Sequence, residues 1–365
     1  MLDRSEFAAW FRLLETPGVG RDTARALLTA FGSPERVFSA SAAELHEQAG
    51  PAVAQALAKE NDTFSGRLAA ALAWWAGSEQ RCVITLGCDE YPPQLLQSPD
   101  PPLLLYVQGD LAALKVESVA VVGSRHASAQ GLDHARGFAQ ALAEAGYLVV
   151  SGLALGIDAA AHEGALASAS GHTIAVVGTG LDRVYPSRHR ALAQRIVKRG
   201  AMLSEFAPGT PALPENFPQR NRIIAGLARG TLVVEAALRS GSLITARLAS
   251  EAGREVYAVP GSIGSEHARG CHALIRQGAM LVETAQEIID DLRGSHTPAR
   301  VAAPAAQKTS DPLLEALGGD PQTIDALMAR TGYGVGELSA RLLELELQNQ
   351  VARLPGGLYQ RRFVG

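Results

Sequence analysis

Between residues 118 and 293, short and nearly unbroken apolar runs alternate with longer stretches of helical periodicity. The runs occupy 119–123, 147–151, 173–178, 201–206, 231–236, 255–260 and 280–283. A strand buried on both faces reads as such a run, whereas a strand with one wet face alternates apolar and polar positions. The pattern predicts a mostly parallel, doubly wound α/β sheet with helices between its strands, the first over 129–145.

The flanks read differently. Residues 8–75 form Ala- and Leu-rich helical stretches broken at Thr16-Pro-Gly-Val-Gly20 and at Ala49-Gly-Pro51. The segment 13–25 resembles a helix-hairpin-helix, which either presents amides at a helix N-terminus to a phosphate or serves only as a packing hairpin. Over 81–114, two apolar runs, 82–86 and 103–107, flank prolines 92, 93, 101 and 102. Prolines restrict such a stretch to edges and turns, so it predicts an irregular extension that adds a strand and covers one sheet edge. A Pro, Ala, Ser and Thr cluster at 294–310 predicts a linker. Beyond it come three helical stretches and a hairpin, Val351-Ala-Arg-Leu-Pro-Gly-Gly-Leu-Tyr359, the order of a winged helix-turn-helix. The expected divisions are 1–78, 79–293, 294–310 and 311–365.

Length and charge narrow the function classes. A chain of 365 residues that is 47% apolar supports two or three units with ordinary cores. Its net charge of −4 means that any nucleic-acid binding must come from a local basic surface. One such surface is 181–200, with six Arg and Lys side chains, Arg188 among them, against Asp182 alone. Three irregularly spaced cysteines, 82, 88 and 271, suit a reducing compartment and predict neither a zinc site nor a disulfide framework. No apolar run is long enough for a membrane span and no targeting segment is evident, so a soluble cytoplasmic protein is expected.

Candidate chemistry gathers where the strands end. Gly123-Ser-Arg125 follows the first apolar run, at the kind of turn where open α/β sheets bind ligands; Gly123 admits a close ligand, Ser124 offers a hydroxyl and Arg125 a fork suited to phosphate. The Gly-x-Gly-x-x-Gly fingerprint is absent, which disfavours a dinucleotide. Ser151, Gly152, Gly178, Ser240, Gly241 and Ser242 lie after other strands and could line the same groove with hydroxyls and amides. Phe217 on a Pro-rich loop could stack on a base or bury against the sheet. Arg220, Asn221 and Arg222 could hold an anion, or an arginine could instead pair with Glu205 or Glu215. Asp158, His162 and Glu235 can be drawn as an acid/base set, but a cap, a packed histidine and an ion pair explain them as well. No Walker loop, metal cluster or nucleophile motif accompanies them. The expected recognition helix of the winged piece carries Glu337, Glu344 and Glu346 against Arg341 alone, which suits protein contact better than a DNA groove.

Val122-Gly-Ser-Arg125, Ser151-Gly-Leu-Ala-x-Gly-Ile-Asp158, Gly178-Thr-Gly-Leu-Asp182 with Tyr185-Pro186, Phe217-Pro-x-Arg-Asn-Arg-Ile-Ile-Ala-Gly226, Ser240-Gly-Ser-Leu-Ile-Thr245 and Val259-Pro-Gly261 together resemble the DNA-processing protein A (DprA, or Smf) family. The resemblance implies an extended Rossmann-like domain between an N-terminal helical domain, helix-hairpin-helix or SAM-like, and a C-terminal winged helix. It implies a cytoplasmic homodimer that binds single-stranded DNA in natural transformation, protects it and loads the recombinase RecA, with single-strand-binding protein as a further partner. No catalytic residues, no cofactor, no metal and no membrane are implied. The Gly-Ser-Arg and Phe-Pro-x-Arg-Asn-Arg segments inherit the strand-binding role, and 271–281, with Leu274, Ile275, Met280 and Leu281, inherits the dimer interface. Ser187, Pro214 and Leu155 stand where relatives often carry lysine, with Arg188 as the neighbouring substitute. The competing class is a nucleotide-hydrolysing Rossmann-like phosphoribohydrolase, whose Pro-Gly-Gly-x-Gly-Thr signature is missing.

Overall fold

The computed structural model describes residues 2–59, 63–294, 311–318 and 321–362. Five helices come first: α1 (Arg4–Glu15), α2 (Arg21–Phe31), α3 (Pro34–Ser39), α4 (Ala42–Ala58) and α5 (Phe64–Ala76). The Asp3 carboxylate accepts the amides of Ser5 and Glu6 to start α1, and Ser41 with Glu44 forms a capping box on α4. Their apolar faces bury Phe7, Phe11, Leu27 and Trp74.

The α/β body follows as β1 (Arg81–Thr85), α6 (Pro93–Leu96), β2 (Leu104–Gly109), β3 (Ser118–Val122), α7 (Ala129–Glu144), β4 (Leu148–Ser151), α8 (Ile157–Ala167), β5 (Thr173–Val176), α9 (Arg190–Lys198), β6 (Gly200–Ser204), α10 (Asn216–Leu227), β7 (Gly230–Val233), α11 (Gly241–Glu251), β8 (Glu255–Ala258), α12 (Arg269–Arg276), β9 (Met280–Leu281) and α13 (Ala285–Leu292). The sheet runs β1-β2-β6-β5-β4-β3-β7-β8-β9, with β3 to β9 parallel and β2 antiparallel to both its neighbours. Every residue of β3 is buried. Val119 and Val121 pack with α7, α8 and α13, while Ala120 and Val122 pack with α10, α11 and α12. Period-two alternation thus feeds two cores, which is why the strand reads as continuously apolar.

The 81–114 stretch adds two strands rather than one. Leu105 and Val107 of β2 join the sheet core, whereas Leu104 and Tyr106 face the N-terminal helices, with the Tyr106 ring 5.8 Å from Trp74 and 6.3 Å from Phe7. Both faces of β2 are therefore covered, and β1 takes the edge.

At the C-terminus, α14 (Pro312–Leu317), β10 (Gln322–Thr323), α15 (Ile324–Thr331), α16 (Val335–Leu347), β11 (Val351–Leu354) and β12 (Leu358–Arg361) build a winged helix around Leu317, Leu327, Leu338, Leu342 and Tyr359. The two-residue β10 pairs with β12 and is too short to leave a sequence signal. Arg362 holds Asp133 of α7 at 2.7 and 2.8 Å, joining this unit to the body. Of the expected linker, 295–310 lies outside the described residues.

The chain runs from β3 outward through β4, β5 and β6, then returns through α10 to β7 on the other side of β3. Loops leaving β3 and β7 therefore diverge and open a crevice at the ends of these strands.

Candidate nucleic-acid interface

The crevice is a groove of about 640 Å³ walled by the Gly123–Arg125 loop, Arg239 and Ser240, the first turns of α10 and α11, and Tyr185. The β3 loop is rigidly set. Ser124 donates its amide to the Glu235 carbonyl at 2.7 Å and accepts from the Ile157 amide at 3.1 Å. A Cβ on Gly123 would lie 2.6 Å from the Ile157 side chain and 2.9 Å from the Glu235 carbonyl oxygen. The glycine is thus demanded by protein packing, and the ligand-approach reading of it is unnecessary. Arg125 projects from this fixed loop, exposed, and among the described residues it forms no ion pair.

Phe217 lies in the first turn of α10 rather than on the preceding loop, because the helix already begins at Asn216. Its half-buried ring sits 5.6 Å from the Tyr185 ring at a tilt of 46°. The Arg125 guanidinium carbon is 5.5 Å from the same ring centroid and that of Arg220 is 5.8 Å. Such distances suit cation–π attraction and place an aromatic face in the groove beside a free positive charge.

The arginines of α10 differ from the sequence expectation. Arg220 is only 5% exposed; it donates to the carbonyls of Gly152 and Val176 and, through Nε, to Asn221 Oδ1 at 3.2 Å. Asp158 lies 3.9 Å from its other terminal nitrogen. Burial pulls the Arg220 guanidinium down to about 10, and burial pushes the Asp158 carboxyl up against the opposing pull of Arg220. Arg222 turns away from the groove, to Glu205 at 2.5 Å and Asp100 at 2.8 Å. It is therefore corrected from an anion ligand to a strut, the Glu205 pairing considered from sequence being the one realised. Arg21 and Arg25 of α2 reach the same Asp100, so the hairpin before α2 docks the N-terminal helices onto the body.

The remaining expected residues divide in the same way. Ser240, Gly241, Ser242 and Asn221 line the groove; Ser240 caps α11, and the Ser240 and Ser242 hydroxyls share a 2.6 Å hydrogen bond. Ser151 is buried and donates to the Val121 carbonyl at 2.6 Å. Gly152 packs under the Arg220 guanidinium, and Gly178 packs on Asn216, whose amide donates to its carbonyl at 3.0 Å. These three support the floor beneath the groove. Arg188 is exposed on the short turn Ser187–His189, outside the lining. Within the basic stretch, Arg199 is committed to the carbonyls of Leu166, Ser168, Ala169 and Gly171. Leu274 is buried in the sheet core and Ile275 is half-buried, while Met280 and Leu281 are exposed on the edge strand β9.

The three residues that could be drawn as an acid/base set have other partners among the described residues. His162 is buried, with Nδ1 2.7 Å from the Thr173 hydroxyl, and burial with help from Arg220 drives its imidazole down to about 3, keeping it neutral. The Glu235 carboxylate accepts the Ser128 amide at 2.9 Å and the Ser128 hydroxyl at the start of α7, away from the groove lining. The lining residues that received no role from sequence include Arg239, exposed, and Tyr185. Arg239 had a signal, since it stands in a post-strand loop as Arg125 does.

Comparison with known proteins agrees with this architecture. Residues 82–293 match the family model for DNA recombination-mediator protein A, and 297–357 match that of the DprA winged helix domain. Protein Smf of Escherichia coli (strain K12) is 45% identical over 298 residues, covering 79% of each chain. DNA processing protein DprA of Streptococcus pneumoniae is 50% identical over 201 residues, covering 55% of this chain and 71% of the relative. The X-ray structure of the S. pneumoniae protein superposes with a TM-score of 0.68 at 38% identity, over 78% of this chain and 97% of that one. DNA processing protein A of Helicobacter pylori, whose structure concerns single-stranded DNA binding, gives a TM-score of 0.53 at 29% identity, over 59% of this chain and 96% of that one. With its central domain, its winged helix and most of its length matched, the chain belongs to the DprA/Smf family of DNA-processing proteins.

Proposed function

We propose that this chain binds single-stranded DNA in the groove between the β3 and β7 loops. The observation that carries the reading is Phe217, held against Tyr185 with the unpaired Arg125 5.5 Å from its ring. An aromatic face stacks on any base, and a free arginine grips the adjoining phosphate, so binding is indifferent to sequence. Arg239 and the amides at the start of α11 offer a second phosphate position across the groove. Ser124, Ser240, Gly241, Ser242 and Asn221 complete the lining, and the H. pylori relative's single-stranded DNA binding supports the assignment.

In the same reading the protein acts in the cytoplasm during natural transformation, as a binder without turnover or cofactor. It shields the incoming strand and passes it to RecA, with single-strand-binding protein as a further partner. A homodimer forms through the edge that carries Ile275, Met280 and Leu281, with Leu274 packed beneath them in the core, a role supported by the exposed apolar pair on β9. A phosphoribohydrolase is disfavoured because Glu235 is engaged at the α7 start; Glu235→Gln abolishing base release from nucleoside monophosphates would reverse that judgement.

A salt-series anisotropy titration tests the binding site. Arg125→Ala is expected to weaken single-strand binding and to flatten the log–log salt slope by about 0.7, the share of one phosphate on a single strand. An unchanged affinity and slope would remove Arg125 from the site.

A further inference from the structure

Helix α16 occupies the position from which a winged helix reads duplex DNA, yet its outward face is not built for phosphate. Leu338, Leu342 and Leu345 form its buried side. At 100° per residue, the diametrically opposite side carries Gly336, Ala340, Leu343 and Leu347, all exposed. Leu343 is 57% and Leu347 79% exposed. One apolar stripe suffices to fold a helix onto a core; α16 has two, and the second has no cover among the described residues.

The second stripe has the spacing 4, 3, 4, that of a helix seam in knobs-into-holes packing. Gly336 and Ala340 allow close approach at its start, and the two leucines supply knobs at its end. Glu337 and Glu344, seven residues apart and exposed, lie along one flank, with exposed Ser339 and half-buried Glu346 along the other. These carboxylates repel phosphates and anionic lipid alike. They also disfavour a second copy, because antiparallel pairing sets Glu337 against the other copy's Glu344, and parallel pairing leaves both without a basic partner.

We propose that the outward face of α16 docks an amphipathic helix of a partner protein whose own seam is apolar and whose flanks carry Lys or Arg. The winged helix is then a protein-recruiting module, independent of the groove and of what the groove binds.

The test uses the full chain and two labelled three-heptad peptides with the same Leu/Ala seam, one flanked by Lys and one by Glu. Anisotropy should show saturable binding of the basic peptide, weakening as salt rises, with the acidic peptide at least about tenfold weaker. The double variant Leu343→Asp, Leu347→Asp alters exposed positions only and should abolish peptide binding while leaving single-strand affinity as in the parent. Equal binding of the two peptides, binding that survives the double variant, or no binding of either would overturn the proposal. Self-association in sedimentation that disappears in the double variant would assign the face to a second copy and overturn it too. A loss of single-strand binding by the parent chain would instead touch only the groove.

Discussion

Arg125 and Arg220 approach the same phenylalanine ring, at 5.5 and 5.8 Å, and have opposite fates. Arg125 stands on a loop held in place without any use of its own guanidinium, so its five donors remain available to a ligand. Arg220 emerges from α10 toward the sheet, where the carbonyls of Gly152 and Val176 take its donors and the Asp158 carboxylate faces its charge at 3.9 Å. Arg222, two residues further along, faces another way and is consumed by Asp100 and Glu205. A guanidinium becomes a ligand group only where the fold leaves it unpartnered; elsewhere it is structure. The Phe217 ring has one guanidinium of each kind near it, Arg220 committed to the sheet and Arg125 left open, and on the proposed function it is the open one that meets phosphate.

The largest effect should follow from removing the buried member. Arg220→Ala leaves two carbonyls without their donor and the buried Asp158 carboxylate without its opposing charge, and breaking such a pair costs about 3–5 kcal/mol. Urea denaturation should show this loss, and single-strand affinity measured on the surviving folded fraction should fall less than stability does. A fully stable Arg220→Ala protein that fails to bind DNA would break the comparison, by making Arg220 a ligand after all. Arg222→Ala should cost less, about 1–3 kcal/mol, because Asp100 and Glu205 keep partial contact with water and Arg21 remains near both. Its signature is specific: the N-terminal helices should become more susceptible to limited proteolysis while DNA affinity and salt slope stay those of the parent. A salt slope that drops as for Arg125→Ala would return Arg222 to the groove.

Much of this division was beyond reach of the sequence, for definable reasons. The central strands were legible because strands such as Val119–Val122 bury both faces and read as unbroken apolar runs. The groove's place followed from the loop after the first of them, and Arg125, Phe217 and the Ser240–Ser242 segment lie there. The direction of α10 was not legible. One residue rotates a side chain by 100°, so placing Phe217 inside the helix rather than before it decides where Arg220 and Arg222 point. Their partners lie far away in the chain, Asp100 on the proline-rich extension and Glu205 after β6, and no local pattern announces such pairings. The same limit hid the second strand of the extension, since β2 is covered on one face by helices more than thirty residues earlier. Arg239 is illegible for a different reason: that its side chain stands exposed in the groove lining is a tertiary fact.

The smallest expected effect sharpens the boundary of the groove. Arg188 belongs to the basic stretch and follows Tyr185 closely, yet it stands outside the lining with its side chain in solvent. An exposed charge of this kind acts on a strand only through the screened field, with a range of about 8 Å at physiological salt. Arg188→Ala should therefore change stability and affinity by no more than about 0.5 kcal/mol, roughly twofold in binding. The remaining difference should vanish as salt rises without a change of salt slope as large as one phosphate's, whereas the larger loss of Arg125→Ala shrinks along the slope flattened by about 0.7. Parallel titrations of the two variants at low and physiological salt separate these outcomes. A loss at Arg188 equal to that at Arg125 would carry the strand past Tyr185 onto the α9 side, and the free arginines would then number more than the two that the groove walls supply.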